Sequence, residues 1–407
     1  MRFLLRLAAR NVFRNTRRSV LTGASIMFSV MILIFAWSFI EGTIKDMTEA
    51  YIQFQSGHIR VLTEEFAKQE RMFPLQYSIP NYLTVQKQIA AIPGVKTATG
   101  RLKFGVLLDY EGNTKQTMGM GIDPAAEETI LELSKKIVQG RVIRKDTDEV
   151  NIGVNMARDL KLKLGDVLTV VTQTAYGSMS AKNFKVVGIY NFQSPTIDRK
   201  VFLVPIESAQ YLLDLSGSAS EIFIITNKAD TARQVAKKIK AALGGGFRTT
   251  AWQDQGAIYF FLELVKWLYL IILIIIVLLS AFTILNTMFM TVLERTREIG
   301  MMKALGMTNR QLVIMVLFEA LVLGALACLI GAVLGAGSSY FVSTHGLDLT
   351  KTVEKMDFPT FNIYYGDFSW KYILVSFIIG MICSVLAAIF PALRAAKMEP
   401  TEALHEM

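Results

Sequence analysis

Four long apolar runs constrain this chain more than any other feature of its sequence. They lie at about 19–41, 264–292, 312–342 and 371–393. A helix needs roughly 20 apolar residues to cross about 30 Å of hydrocarbon, and each run is long enough. Hydrophobic residues make up 52% of the chain and charged residues 19%, a balance too apolar for a typical soluble protein. The sequence therefore predicts four transmembrane helices.

The positive charges indicate how these helices are oriented. Six arginines and no acidic residue precede the first run: Arg2, Arg6, Arg10, Arg14, Arg17 and Arg18. Four of them recur every four residues, so 1–18 is predicted to be an amphipathic helix on the cytosolic membrane surface. Basic residues near span ends stay in the cytosol, which places both termini and the segment 293–307 inside. The net charge of +9 is thus a topology signal, and we expect no binding to nucleic acid.

The segment 42–262, between the first and second runs, is predicted to be a large α+β extracytoplasmic domain. Strand-like alternation at 106–110 leads into a turn at 111–113, and 221–226 reads as a strand between two helices at 208–215 and 231–243. The segment of about 125–198 is β-rich and is predicted to be an inserted subdomain. Within it, strands at 167–172 and 184–189 flank a turn, which predicts a hairpin with an exposed tip.

Small residues recur along the third run at Gly324, Cys328, Gly331 and Gly335. Such stripes favour close helix packing in lipid, here within a bundle and against a second subunit. Glu319 lies in the same run, where a buried carboxylate is costly. A structural partner for Glu319 and a proton relay are both open, and we favour the structural partner.

Several kinds of chemistry are missing from the sequence. There is no G-x-x-x-x-G-K-[ST] phosphate loop and no G-x-S-x-G nucleophile motif, and His58, His345 and His405 lie far apart. We therefore expect no catalytic residue, no metal site and no cofactor in this chain. A transporter without its own energy chemistry needs a partner that hydrolyses ATP.

The segment after the second run carries a specific motif. Its residues 294–300 read E-R-T-R-E-I-G, and Lys303, Ala304 and Gly306 follow. They resemble the E-x-x-R-E-I-G-x-x-K-A-x-G signature of FtsX/MacB-type ABC permeases, and the ending from Pro391 to Leu404 is similar to the C-terminal motif of that family.

The resemblance implies an organisation for the whole chain. It makes 42–262 a MacB-like periplasmic core domain and 263–407 an FtsX-like domain, with a cytosolic coupling helix at 293–307. This helix would contact a cytosolic ABC ATPase dimer, which binds the ATP and Mg²⁺. The implied coupling residues are Glu294, Arg297, Glu298, Gly300, Lys303, Ala304 and Gly306.

Within the family, the organisation is most similar to the LolC/LolE lipoprotein-releasing permeases. This implies an inner-membrane protein that works by mechanotransmission with a second permease subunit, as a homo- or heterodimer. It would extract lipoproteins from the outer leaflet and pass them to a periplasmic carrier. A MacB-like exporter of peptides or drugs and an FtsX-like force transmitter to a cell-wall hydrolase are the alternatives.

Two further sets of candidate residues follow from position rather than from a motif. Candidates for contact with membrane lipid and acyl chains are Phe35, Phe39, Phe261, Leu264 and Leu268. Candidates for contact with the carrier lie at the hairpin tip and are Tyr176, Gly177, Ser178 and Met179.

Overall fold

The computed structural model describes residues 16–349 and 363–397. The described residues divide into two compact units. The helical unit comprises 16–45, 263–347 and 364–397, and the sheet unit comprises 46–262 with 348–349 and 363. The predicted amphipathic helix at 1–18 falls almost entirely outside the described residues.

The α-helices in chain order are α1 (Thr16–Tyr51), α2 (Glu64–Lys68), α3 (Tyr82–Ala90), α4 (Pro124–Leu131), α5 (Leu133–Lys136), α6 (Val154–Leu160), α7 (Pro195–Lys200), α8 (Ile206–Leu213), α9 (Ala232–Leu243), α10 (Gly256–Glu294), α11 (Thr296–Ala304), α12 (Asn309–His345) and α13 (Trp370–Lys397). A π-helical turn at Ile52–Ser56 continues α1.

The strands are β1 (Ile59–Thr63), β2 (Val95–Tyr110), β3 (Asn113–Ile122), β4 (Ile137–Gly140), β5 (Glu149–Gly153), β6 (Val167–Gln173), β7 (Met179–Tyr190), β8 (Val201–Pro205), β9 (Glu221–Thr226), β10 (Phe247–Ala251), β11 (Leu347–Asp348) and β12 (Ile363–Tyr364).

Among the described residues, four helices are long and apolar enough to cross a membrane: α1, α10, α12 and α13. Each contains one of the apolar runs, so the predicted set of spanning helices is found. The helices are longer than the runs, because α1 continues from residue 41 to Tyr51 and α10 begins at Gly256. The added residues of α1 are largely polar, whereas those of α10 are apolar up to Glu263.

Close contacts at small residues hold the helical unit together. A Cβ added at Gly331 would lie 2.6 Å from the carbonyl oxygen of Met27, so α12 and α1 approach closely at this point. About three turns nearer the start of α12, the hydroxyl of Ser384 in α13 donates to the carbonyl of Ala320 at 3.1 Å. The small-residue stripe thus packs α12 against helices of its own chain, as expected for association in lipid.

The sheet unit is built on one mixed sheet. Its strands run in the order β10-β1-β9-β2-β3-β8-β5-β7-β4, and β6 pairs with β2 and β7. The pairs β3–β8 and β5–β7 are parallel, and the other described pairs are antiparallel. The segment 125–198 contributes β4 to β7 to this same sheet, and its description as a separate inserted subdomain stays a prediction.

The longest strand shows why the sequence folds in this way. In β2, alternate residues Leu102, Phe104, Val106 and Leu108 are buried on one face, as the period of two in a strand requires. They belong to an apolar core with α3, α8 and α9, while residues from β3, β8 and α4 form a second apolar cluster. The sheet therefore has apolar packing on both faces.

One buried arginine connects this sheet to the chain that continues from α1. The Arg101 guanidinium donates to the carbonyls of Gln53 and Phe54 in the π-helical turn, at 3.1 Å each. It also forms a bidentate ion pair with Glu127 at 2.6 and 2.7 Å and lies over the ring of Phe223. Both charged side chains are fully buried, so removing either partner would leave an uncompensated charge.

A second buried group makes the stability of the sheet unit depend on pH. Burial raises the pKa of Asp198, in α7, to about 7, although the backbone N–H of Phe192 donates to Oδ1 at 2.9 Å and opposes the shift. Within the described residues Oδ2 is buried and has no hydrogen-bond partner. The folded protein therefore holds a proton on Asp198 that the unfolded chain, with a pKa near 3.8, releases.

The contribution of Asp198 to stability is fully present below pH 3.8 and is lost as the pH rises through 7. The variant Asp198→Asn keeps an acceptor for the Phe192 N–H and has no charge. Its stability relative to the wild type should rise by about 1.4 kcal/mol per pH unit between pH 5 and 6.5. Thermal unfolding of the full chain in detergent across this range measures the difference. The variant Asp230→Asn, at an exposed position, is the matched control and should run parallel to the wild type.

Candidate functional site

The predicted coupling segment, 293–307, is a short helix between two helices long enough to span a membrane. Helix α10 ends at Glu294, α11 covers Thr296–Ala304 and α12 begins at Asn309. Arg295 lies between α10 and α11 with non-helical backbone angles, and the Thr296 hydroxyl donates to the Leu293 carbonyl. The chain therefore changes direction at Arg295 without an intervening loop.

The connection from α11 to α12 is fully hydrogen-bonded. The N–H of Met307 donates to the Met302 carbonyl and that of Gly306 to the Lys303 carbonyl, both at 3.0 Å. These are the two bonds of a Schellman motif, and Gly306 has the positive φ of 96° that the motif needs. Thr308 and Gln311 have the T-x-x-Q spacing of a capping box, and they form one at the start of α12.

An ion pair joins this segment to α12. Arg295 Nη1 donates to both carboxylate oxygens of Glu319, at 2.9 and 2.7 Å, and its Nε donates to Glu298 Oε2 at 3.0 Å. The side chains of Arg295 and Glu319 are 11% and 8% exposed, so the pair is largely removed from solvent. The structural partner expected for Glu319 is therefore Arg295, at a separation of 24 residues.

Two further contacts hold α11 to the bundle. The Lys303 ammonium donates to the carbonyl of Ala396, in the last turn of α13, at 2.9 Å. Ile299 is 3% exposed and belongs to the apolar core of the helical unit, and Gly300 is buried beside it. One face of α11 is thus fixed to α12, α13 and the apolar core.

The opposite face of this segment is open to solvent. Its exposed residues are Leu293, Glu294, Arg297, Met301, Ala304, Leu305 and Gly306. Leu305 is 89% exposed and Met301 is 50% exposed, and both lie beside charged residues of the same face. Exposed apolar residues with flanking charges are typical of a protein-binding surface.

The structure thus divides the seven predicted coupling residues into two groups. Glu298, Gly300 and Lys303 hold the segment in place, while Glu294, Arg297, Ala304 and Gly306 lie on the exposed face. Sequence reasoning missed Arg295 and Leu305 as members of this site. Arg295 was visible only as one charge among several, because its partner lies 24 residues away and no local spacing indicates the contact.

The candidate acyl-chain residues lie on two helices. Phe35 and Phe39 in α1 stack at a centroid distance of 6.3 Å, and Phe39 also contacts the ring of Tyr364 at 5.9 Å. Leu264 and Leu268 in α10 are exposed and one turn apart, and Phe261 precedes them as a half-buried residue. The two aromatic residues therefore form one apolar surface, and their grouping with the α10 residues stays a prediction.

The predicted hairpin is formed by β6 and β7, and its tip is ordered. The N–H groups of Tyr176 and Ser178 donate to Thr174 Oγ1, and Gly177 has a φ of 89°. Tyr176 is 74% exposed and Met179 is 71% exposed. The Ala175 N–H donates to the Leu213 carbonyl at the end of α8, where Tyr211 is 77% exposed. The sequence did not indicate Tyr211 as part of this exposed surface.

We predict that Glu319→Gln destabilises the helical unit, since it leaves the buried Arg295 charge with only the more exposed Glu298 as an ionic partner. The loss expected for breaking a buried pair is about 3–5 kcal/mol. The double variant Arg295→Met/Glu319→Leu removes both charges and should recover most of the stability. Glu298→Gln, at the more exposed partner of Arg295, should cost less than about 1 kcal/mol. Thermal unfolding in detergent compares the three, and equal losses for Glu319→Gln and Glu298→Gln would contradict this role of the pair.

Two family descriptions match the chain. The MacB-like periplasmic core domain matches residues 19–242, more than half of the chain, and the FtsX-like permease C-terminal region matches 270–400. These matches cover the sheet unit up to residue 242 and all or most of each of the four long helices, together with the coupling segment.

Individual proteins are similar over most of their length. The chain is 25% identical to the lipoprotein-releasing system transmembrane protein LolC of Xylella fastidiosa, covering 96% of this chain and 95% of that protein. It is also 25% identical to an uncharacterized ABC transporter permease of Methanocaldococcus jannaschii, covering 99% and 97%. The macrolide export ATP-binding/permease protein MacB of Bdellovibrio bacteriovorus is 23% identical over 90% of this chain and 55% of that protein. The chain is therefore a member of the FtsX/MacB family of ABC transporter permeases.

Proposed function

We propose that this chain is the membrane subunit of an ATP-driven complex and works by mechanotransmission. A cytosolic ABC ATPase dimer binds the exposed face of 293–307, and its closure on ATP moves the spanning helices and the sheet unit. This proposal rests on the contacts that attach the segment 293–307 to α12 and α13. Arg295–Glu319, Lys303–Ala396 and the Schellman motif leave α11 little freedom to move without α12 and α13.

The proposed orientation follows from the charges. Both termini and the coupling segment lie in the cytosol, and the sheet unit lies outside the inner membrane. A second permease subunit completes the complex, as an identical or a related chain. The exposed apolar surface of α10 supports this, since only 6% of its most apolar stretch is buried within this chain.

The proposed cargo is a lipoprotein, which the complex extracts from the outer leaflet of the inner membrane. Similarity to LolC over nearly the whole chain supports this cargo. The aromatic stack of Phe35 and Phe39 supplies an apolar surface for acyl chains. The exposed Tyr176 and Met179 at the hairpin tip supply a surface on which a periplasmic carrier could receive the lipoprotein.

Export of peptides or drugs is the second candidate, and the similarity to the macrolide exporter MacB favours it. One experiment separates the two. The chain is purified with its ATPase in lipid from cells that make a triacylated lipoprotein. Our proposal predicts that the lipoprotein copurifies and leaves the complex when ATP is added. If no lipoprotein is bound and a macrolide or a peptide stimulates ATP hydrolysis instead, the chain is an exporter.

We predict that Gly306→Val uncouples ATP hydrolysis from transport and leaves membrane insertion intact. A β-branched residue is strained at the φ of 96°, so the Schellman motif should open and the junction to α12 should loosen. The measurement is lipoprotein released per ATP hydrolysed in the reconstituted complex. Gly337→Val, also in the helical unit, has an ordinary φ and open space for the new side chain, so it is the matched control. An unchanged ratio for Gly306→Val would show that the junction does not transmit force.

We predict that Phe35→Asp or Leu264→Asp blocks lipoprotein release while the complex still assembles and hydrolyses ATP. A carboxylate among the acyl-chain contacts removes the apolar surface that the cargo needs. Leu374→Asp, on the exposed face of α13 and 62% exposed as leucine, introduces the same charge elsewhere in the helical unit. Release at the wild-type rate by both of the first two variants would exclude this path for the acyl chains.

A further inference from the structure

A cleft of about 760 Å³ opens within the sheet unit, and no role proposed above uses it. Its walls come from the π-helical turn after α1, from β1, β2 and β3, from the segment 67–73 and from α7. A cleft of this size lies within the range of small-molecule sites in proteins. Its lining is divided into a basic part and an apolar part.

The basic part has more cations than carboxylates. Its positive side chains are Arg60, Lys68, Arg71, Lys103 and Arg248, and its acidic ones are Glu70 and Asp254. Arg233 already pairs with Asp254, and Arg60 already pairs with Glu70. In the described part of the chain, Lys68, Arg71 and Arg248 have no carboxylate within ion-pairing distance, and all three are exposed.

Glu221 in β9 is buried and pairs with two of these cations. Arg60 Nε lies 2.8 Å from one of its oxygens and Lys103 Nζ lies 2.7 Å from the other. Burial alone would raise the pKa of Glu221, but the charges of Lys103 and Arg60 outweigh it and bring the pKa to about 2. The carboxylate therefore stays ionised and holds both cations at the cleft. Glu221 and Glu70 balance these two charges, so the net positive charge of the cleft comes from the cations at its rim.

The apolar part lies beside these charges. It consists of Phe54, Leu62, Met118, Ile197 and Val201, with Met118 and Ile197 half-buried. Gln255 also lines the cleft, and its Nε2 is buried and has no hydrogen-bond partner among the described residues. The cleft thus offers a spare hydrogen-bond donor and unpaired cations next to an apolar wall.

We propose that this cleft binds a single anionic phospholipid, with the phosphate at the basic rim and an acyl chain along the apolar wall. A phosphate group matches unpaired Lys and Arg side chains, and an acyl chain matches a wall that offers no polar partner. A lipid is favoured over an acidic peptide because the backbone polar groups of a peptide would be left unpaired along that wall. The site does not depend on the identity of the transported cargo.

A photo-crosslinker at one position distinguishes lipid in the cleft from lipid around the spanning helices. The full chain carries p-benzoylphenylalanine in place of Met118 and is reconstituted in vesicles of phosphatidylglycerol or of phosphatidylcholine with the same acyl chains. After irradiation, mass spectrometry identifies what is attached at position 118. We expect a lipid adduct with phosphatidylglycerol that is at least about tenfold more abundant than with phosphatidylcholine.

Two double variants test the rim charges. Lys68→Gln/Arg248→Gln removes two exposed cations of the cleft and should reduce the phosphatidylglycerol adduct by at least about tenfold. Lys237→Gln/Lys238→Gln removes two exposed cations of α9, which do not line the cleft, and should leave the adduct unchanged. Unchanged melting temperatures show that both variants are folded.

Three results would overturn the proposal. Equal adducts with the two lipids would show that the apolar wall acts alone. Absence of a lipid adduct in phosphatidylglycerol vesicles, together with binding of inorganic phosphate to the full chain in detergent, would identify a free anion as the ligand. A peptide adduct in place of the lipid adduct would identify a polypeptide segment as the occupant.

Discussion

The buried ion pair between Arg295 and Glu319 is the interaction on which the rest of the helical unit depends. Bringing two charges out of water is costly, and two apolar side chains at the same positions can stabilise a fold at least as well. The two hydrogen bonds from Arg295 Nη1 to the Glu319 carboxylate instead fix the start of α11 against α12. Lys303 then attaches the same short helix to the last turn of α13. The segment 293–307 is therefore attached directly to two long helices, and our proposal of mechanotransmission rests on this attachment.

In the sheet unit, a buried arginine holds the segment that follows α1 in a comparable way. Helix α1 is continuous to Tyr51, and the π-helical turn that follows is hydrogen-bonded to Arg101 through Gln53 and Phe54. Arg101 is in turn held by Glu127 and by the ring of Phe223. Short π-helical segments are frequent at functional sites, and this one is hydrogen-bonded to the central strand β2 through Arg101.

The sequence was informative where structure is set by local pattern. The apolar runs predicted the spanning helices, the strand at 221–226 was found at its predicted bounds, and the Thr308–Gln311 capping box is present. Contacts between distant residues could not be predicted in this way. Three contacts of this kind join residues far apart in the chain. They are the ion pair of Arg295 with Glu319, the parallel pairing of β3 with β8, and the hydrogen bonds of Arg101 to the π-helical turn. The cleft could not be predicted from the sequence for the same reason, because its cations come from strands and helical turns that are far apart in the chain. Within 293–307, the motif identified the segment, but only the folded structure separates its fixed face from its exposed face.

The central claim is that ATP bound by the partner ATPase moves the sheet unit through the coupling segment. The most direct measurement is the distance between a spin label at Leu305→Cys and one at Tyr176→Cys, two of the most exposed large apolar side chains among the described residues. The labels are placed in a Cys328→Ala/Cys383→Ala background, and the complex is compared without nucleotide and with ATP trapped. The account predicts that the distance distribution shifts between the two states. An identical distribution in both states, in a complex that hydrolyses ATP, would contradict it.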